Sequence, residues 1–219
     1  MKILLTNDDG IGAAGINAAY EILSSDHEVY LMAPVEEKSA CSNAITVRGE
    51  LNIKQVAEKK FTVNGYPADC VIIGLSGSVI PEVDLIVSGI NHGPNVGDDL
   101  VFSGTVAGAR TAYVFGKPSV AISINSREHA PIHLKDAAIF LREYVNDLIE
   151  MVPEFFEPEP TGAGGLHDAI PFFNINYPDI SQNRIRGVKY THIGKRIYRD
   201  SFEKVSFVSG EATLQMGGY

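Results

Sequence analysis

Apolar and polar positions along the chain fall into a regular succession of short runs and longer periodic stretches. Residues 2–7 form an apolar run that predicts a buried strand, and residues 13–25 place Ile16, Tyr20 and Leu23 on one helical face. Residues 27–33 predict a second buried strand, stopped by Pro34. Between residues 45 and 63 apolar and polar positions alternate (Ile45, Val47; Leu51, Ile53; Phe61, Val63), which predicts the strands of a hairpin. Pro67 suits the first turn of a helix running through Leu75. The run DLIVS at 84–88 predicts another buried strand, and a glycine-rich loop over 89–102 follows. A helix is expected over 104–115 with Gly116 as its C-cap, then a strand over 119–124. The longest helical pattern, 131–151, aligns Leu134, Ala138, Leu141, Val145 and Leu148. Residues 157–171 are rich in Pro and Gly and predict a linker, with strands over 172–177 and 188–198 beyond it.

Strands alternating with helices predict an α/β fold, a mostly parallel sheet covered by helices on both faces. The division expected is a core over 1–156, with the hairpin inserted at about 45–63, and a linker with β-rich extension over 157–219. Sheets of this kind bind ligands beyond the carboxyl ends of their strands. Asp8 and Asp9 lie at one such end, Asn91 just past another, and Ser39 in the loop past a third.

Composition narrows the partners. A net charge of −9 argues against a nucleic-acid polymer or an anionic membrane surface as partner. No apolar run approaches the ~20 residues of a membrane-spanning helix. Two cysteines, Cys41 and Cys70, are too few for a disulfide framework or a zinc cluster. Met1-Lys2 leads directly into the first strand without a signal-peptide pattern, so a cytoplasmic protein is expected.

The segment ILLTNDDGIG, residues 3–12, holds the densest chemistry. Neighbouring side chains of a straight strand point to opposite faces, but Gly10 permits a bend that brings both carboxylates to one point. Two carboxylates ~5 Å apart repel by roughly 3 kcal/mol at an effective dielectric of ~20, and a cation or a shared proton relieves this. Asp8, Asp9, Ser39 and Asn91 together would make an all-oxygen site for a hard cation such as Mg²⁺ or Mn²⁺. Ser103, Gly104 and Thr105, at a predicted helix start, offer hydroxyls and backbone N–H groups to an anion, and Asn95 adds a donor. Each piece also has a plainer reading: Asp-Asp-Gly as a turn, Ser103 or Thr105 as a helix N-cap.

Two competing readings stay open on the residues alone. Gly10, Gly12 and Gly15 satisfy the G-x-G-x-x-G dinucleotide pattern of an oxidoreductase, although Asp8 and Asp9 would then face a pyrophosphate. A non-enzymatic phospho-accepting module would need an acceptor Asp at a later strand end. Asp69 lies in a helical segment instead, and Asp84 begins its strand.

Taken together, ILLTNDDGIGAAGI (3–16), KSACSNAIT (38–46), GYPADCV (65–71) and SGINHGPNVGDDLVFSGTVAGA (88–109) resemble the SurE family of survival proteins. The resemblance implies a Rossmann-like sheet with a β-rich extension used in oligomerisation, as a homodimer or homotetramer. It implies metal-dependent hydrolysis of nucleoside 5′- or 3′-monophosphates, and some action on short polyphosphate. By motif position it implies one divalent cation per subunit on Asp8, Asp9, Ser39 and Asn91, with Asp8 or Asp9 catalytic, and phosphate contacts from Asn95, Ser103, Gly104 and Thr105. The chain departs from the family pattern at Ala40 (usually Gly), Tyr66 (usually Thr), Phe102 (usually Tyr) and Thr111 (usually an acid).

Overall fold

The computed structural model describes residues 1–126, 130–155, 170–197, 201–208 and 211–217. Nearly all of the expected linker therefore lies outside the described residues. The first strand, β1 (Lys2–Thr6), is apolar throughout its centre, and its alternation serves two cores at once. Ile3 and Leu5 pack on one face of the sheet with α1 (Ala14–Leu23) and α5 (Leu134–Phe155). Leu4 packs on the other face with α2 (Pro67–Leu75) and Ala112 of α4 (Gly104–Val114).

β2 (Glu28–Pro34) and β5 (Leu85–His92) flank β1, both parallel to it. Beyond β2 come β4 (Lys60–Val63), parallel, and β3 (Ile53–Ala57), antiparallel to β4. Beyond β5 come β6 (Ser119–Asn125) and β7 (Phe172–Pro178), both parallel. The seven strands run in the order β3-β4-β2-β1-β5-β6-β7. This is the doubly covered α/β sheet that the alternation of elements predicts. The chain first winds outward from β1 through β2 and β4, then returns to the opposite side of β1 at β5. The switch point lies between β1 and β5, where Thr6 is the register partner of Ser88.

Three expected elements differ. Pairing in the hairpin is confined to Ile53–Ala57 and Lys60–Val63, and Ile45 and Val47 are exposed in an irregular loop. Asp69 explains this: its carboxylate accepts from the backbone N–H and hydroxyl of Thr46, both at 2.8 Å, and caps α2 through the Tyr66 N–H at 2.9 Å. The long helix begins at Leu134, because Asp179 accepts the N–H groups of Ile132 and His133 just ahead of it. The strand expected over 188–198 is absent over its described residues 188–197, which run irregularly. Among the described residues no strand pairs with that segment, and the start of α3 (Asp99–Phe102) holds it: Arg196 donates its backbone N–H to Asp98 at 3.1 Å and its guanidinium to Asp99. The β-rich extension is instead a two-stranded antiparallel sheet of β8 (Ser201–Val208) and β9 (Glu211–Gly217).

Candidate active site

Asp8 and the start of α4 meet beside the switch point. Gly10, at φ +90°, turns the chain straight after the two carboxylates, and Asn7 stabilises the turn by donating from Nδ2 to the Gly10 carbonyl at 2.9 Å. The loop after β2 closes over it, with Lys38 donating its backbone N–H to the Asp8 carbonyl at 2.7 Å. From the other side, the N-terminus of α4 meets Asp8. A Cβ on Gly104 would stand 2.8 Å from Oδ2 of Asp8 and 2.7 Å from Sγ of Cys41, so only glycine admits the carboxylate so close to the helix. Ser103 caps the helix, its Oγ accepting from the Val106 N–H at 3.1 Å.

Asp8 is 5% exposed. Its Oδ1 accepts the Thr105 hydroxyl at 2.6 Å, and the Thr105 backbone N–H also donates to it. Thr105, expected among the phosphate contacts, thus engages Asp8 with both of its donors. Burial nevertheless raises the Asp8 carboxyl above its ordinary range. Asp9 is less deeply placed and accepts the backbone N–H of His92. Burial first, then Asp8 and Glu37, push the Asp9 carboxyl up to about 7. Two adjacent carboxylates that burial disfavours in their charged form make a site whose ionised state a cation would stabilise.

The remaining predicted residues lie in the loop after β2 and at and beyond the end of β5. Asn91 is the penultimate residue of β5, just before His92, and its Nδ2 donates to the Gly93 carbonyl at 2.8 Å, so its Oδ1 is the atom suited to a cation. Ser39 is exposed and donates its hydroxyl to Oε1 of Glu37 at 2.6 Å. Glu37 in turn acts electrostatically on both Asp8 and Asp9, which joins Ser39 to the pair indirectly. Asn95 is buried and held by groups at the ends of β6 and β7.

Two neighbours escaped the sequence reading. Glu37 lies in the Ser39 loop, and its spacing two residues before Ser39 is a weak signal of the pairing. Cys41 packs at the helix start, where burial and Asp8 push its thiol up to about 11, so it is a neutral packing group at physiological pH. Two of the three glycines of the dinucleotide pattern have packing reasons: a Cβ on Gly10 would lie 3.3 Å from the Glu36 backbone, and one on Gly15 would lie 1.9 Å from the Ile90 carbonyl oxygen, whereas one on Gly12 would meet nothing within 4 Å. Asp69, weighed against the phospho-accepting reading for lying in a helical segment, is buried and bonded to Thr46 and Tyr66.

A family model described as "Survival protein SurE" matches residues 3–200. A protein named 5′-nucleotidase SurE from Leptospira interrogans is 35% identical over 218 residues, which is 100% of this chain and 81% of the relative. Its namesake from Kosmotoga olearia is 41% identical over 209 residues, covering 93% of this chain and 76% of the relative. The crystal structure of a SurE protein from Aquifex aeolicus, 32% identical, covers 100% of this chain and 82% of its own, with a TM-score of 0.80.

Proposed function

This chain belongs to the survival protein SurE family, and on that premise we propose that it is a divalent-metal-dependent phosphomonoesterase acting on nucleoside 5′-monophosphates. Nucleoside 3′-monophosphates and short polyphosphate are its further substrates. One observation carries this reading: two adjacent carboxylates, Asp8 buried against the N-terminus of α4 and Asp9 half-buried beside it, where a cation and an anion have reason to meet.

The donor set fits a hard cation. Asp8, Asp9, Ser39 and Asn91 offer oxygen alone, and among the described residues no group of three or more His, Cys, Asp or Glu is placed to hold a metal. These four residues would hold one Mg²⁺ or Mn²⁺ per subunit. When bound, such an ion offsets phosphate charge and acidifies a coordinated water.

The side chains divide the remaining work. Asp8, fixed by Thr105, anchors the site, and Asp9, the less buried of the two, takes the proton of the attacking water. Ser103 keeps its O–H as a donor after its oxygen has capped the helix, and the backbone N–H of Gly104 is offered to the same anion, those of Thr105 and Val106 being bonded to Asp8 and Ser103. Asn95 keeps a second amide N–H after bonding Ser123. These donors hold the phosphate oxygens as charge builds on them.

The assembly we propose is a homodimer or homotetramer formed through the 157–219 extension. Val188, Tyr190, Ile193 and Ile197 are exposed, and β8 and β9 form a separate two-stranded sheet, a unit marginal without packing partners. The compartment we propose is the cytosol. In support, Cys41 and Cys70 are both free thiols, and among the described residues no helix is long and apolar enough to cross a membrane.

The test is phosphate release from a panel of 5′- and 3′-monophosphates and tripolyphosphate, with Mg²⁺ or Mn²⁺ and then with a chelator. Multiple turnovers that the chelator stops support the proposal. Absence of turnover by folded protein with every metal contradicts it.

A further inference from the structure

Residues 93–97 form no regular element, and Gly93 and Gly97 adopt φ values of +104° and +56°. Asn95, between them, is nonetheless buried, with 7% of its surface exposed. Side chains from two neighbouring strands account for this. Along β7 the residues alternate, so Asn174 and Asn176 share one face of the sheet, and Ser123 on β6 is the register partner of Asn176. Asn176 grips the Asn95 backbone at two points: its Oδ1 accepts the Asn95 N–H at 2.9 Å, and its Nδ2 donates to the Asn95 carbonyl at 2.9 Å. Asn174 donates to the same carbonyl at 3.0 Å. The Asn95 side chain is fixed separately, its Nδ2 donating to Ser123 Oγ at 2.8 Å.

Polar groups at a buried strand end cost free energy unless they are bonded, and a strand serving packing alone would carry apolar residues there. Ser123 is fully buried. Asn174 Oδ1 is buried without a hydrogen-bond partner, so that side chain is oriented by its bond to Asn95. Three polar side chains of the adjacent strands β6 and β7 therefore converge on a single loop residue.

We propose that Asn176, with Asn174 and Ser123, is a positioning residue for the substrate phosphate. Its two bonds hold the loop backbone, Ser123 sets the Asn95 rotamer, and the second Asn95 amide N–H is presented to a phosphate oxygen. The proposal rests on the phosphohydrolase reading of the same site.

The full chain with Asn176→Ala, Asn176→Asp or Ser123→Ala tests this. The readouts are KM and kcat for a nucleoside monophosphate, calorimetric binding of inorganic phosphate in the presence of Mn²⁺, Mn²⁺ binding, and Tm. Asn176→Ala should raise KM and weaken phosphate binding by about tenfold, the loss of one or two hydrogen bonds. Its kcat should fall less, and its Mn²⁺ affinity should hold. Asn176→Asp keeps the acceptor for the Asn95 N–H but loses the donor and adds negative charge, so it should weaken phosphate binding further. Lowered Tm with wild-type KM and phosphate affinity in both variants would overturn the proposal. If the Asn176 variants do not fold, Ser123→Ala decides on the same readouts. Wild-type protein that binds phosphate without turnover contradicts the hydrolase reading alone, and the phosphate-binding comparison still decides the role of Asn176. Wild-type protein that does neither contradicts both.

Discussion

Thr105 donates its hydroxyl to Oδ1 of Asp8 at 2.6 Å, tying the second residue of α4 to the residue that follows β1 by two positions. Ninety-seven positions separate them in the chain, and the switch point of the sheet brings them together. The buried carboxylate is thereby oriented by the helix that also offers its N-terminus to an anion.

Removing that hydroxyl while keeping the shape isolates its role. Thr105→Val should lower kcat by about 10- to 100-fold, as loss of a charge-assisted hydrogen bond to a buried carboxylate predicts. Thr105→Ser, which keeps the O–H, should recover most of the activity. Equal activity in Thr105→Val and wild type would show that Asp8 is held in other ways.

Gly104 is a second steric test. A Cβ there meets Asp8 and Cys41 at under 3 Å, so Gly104→Ala should cost about 1–3 kcal/mol of stability through overpacking and should weaken Mn²⁺ binding. Thermal unfolding and Mn²⁺ titration measure the two effects. An unaltered Mn²⁺ affinity would mean that Asp8 is free to move away.

Asp9 should make the metal-free protein sensitive to pH. Its folded carboxyl titrates near 7 against an ordinary value of 3.8, so the folded state retains a proton that the unfolded chain has released. Stability therefore falls as pH rises through this window, because the unfolded state binds fewer protons there. In EDTA, Asp9→Asn should gain Tm relative to wild type as pH is raised from about 5 to about 8. A difference that stays flat or narrows with pH would contradict the assignment.

Ala40 adopts φ +53° beside Ser39, at a position where the family resemblance leads one to expect Gly. A left-handed conformation costs a residue with a Cβ roughly 1–2 kcal/mol, partly offset by the greater freedom of glycine when unfolded. Ala40→Gly should therefore raise stability by up to about 1 kcal/mol with turnover retained. A fall in Tm would show that the loop has already absorbed the strain.

Much of this architecture was legible from local patterns. The apolar run ending in Asp8-Asp9-Gly10 carried its own reason, since only glycine turns easily at that point. The face of α1 and the capping of α4 by Ser103 likewise follow from neighbours within a few residues. What escaped depends on tertiary pairing. The run 188–198 reads as a strand, but nothing in it says that no described strand would lie beside it. The pull of Asp69 on Thr46 spans 23 residues and shortened the hairpin. The link from Glu37 to the Asp pair is electrostatic and leaves no periodic trace. Asn174 and Asn176 were visible as two polar positions in an apolar strand, but their purpose became readable only when the Asn95 loop was seen to lie over them.

The central claim is that Asp8 and Asp9 jointly form the catalytic cation site of a phosphomonoesterase. Its most direct test is steady-state phosphate release from a nucleoside monophosphate in Mn²⁺ by folded wild-type, Asp8→Asn and Asp9→Asn proteins, repeated after EDTA. The account predicts many turnovers by the wild type, none after chelation, and a loss of about 100-fold or more in each variant, in line with removal of a charged group from a metal-assisted site. Wild-type turnover that survives chelation, or near-normal turnover by either variant, would contradict it.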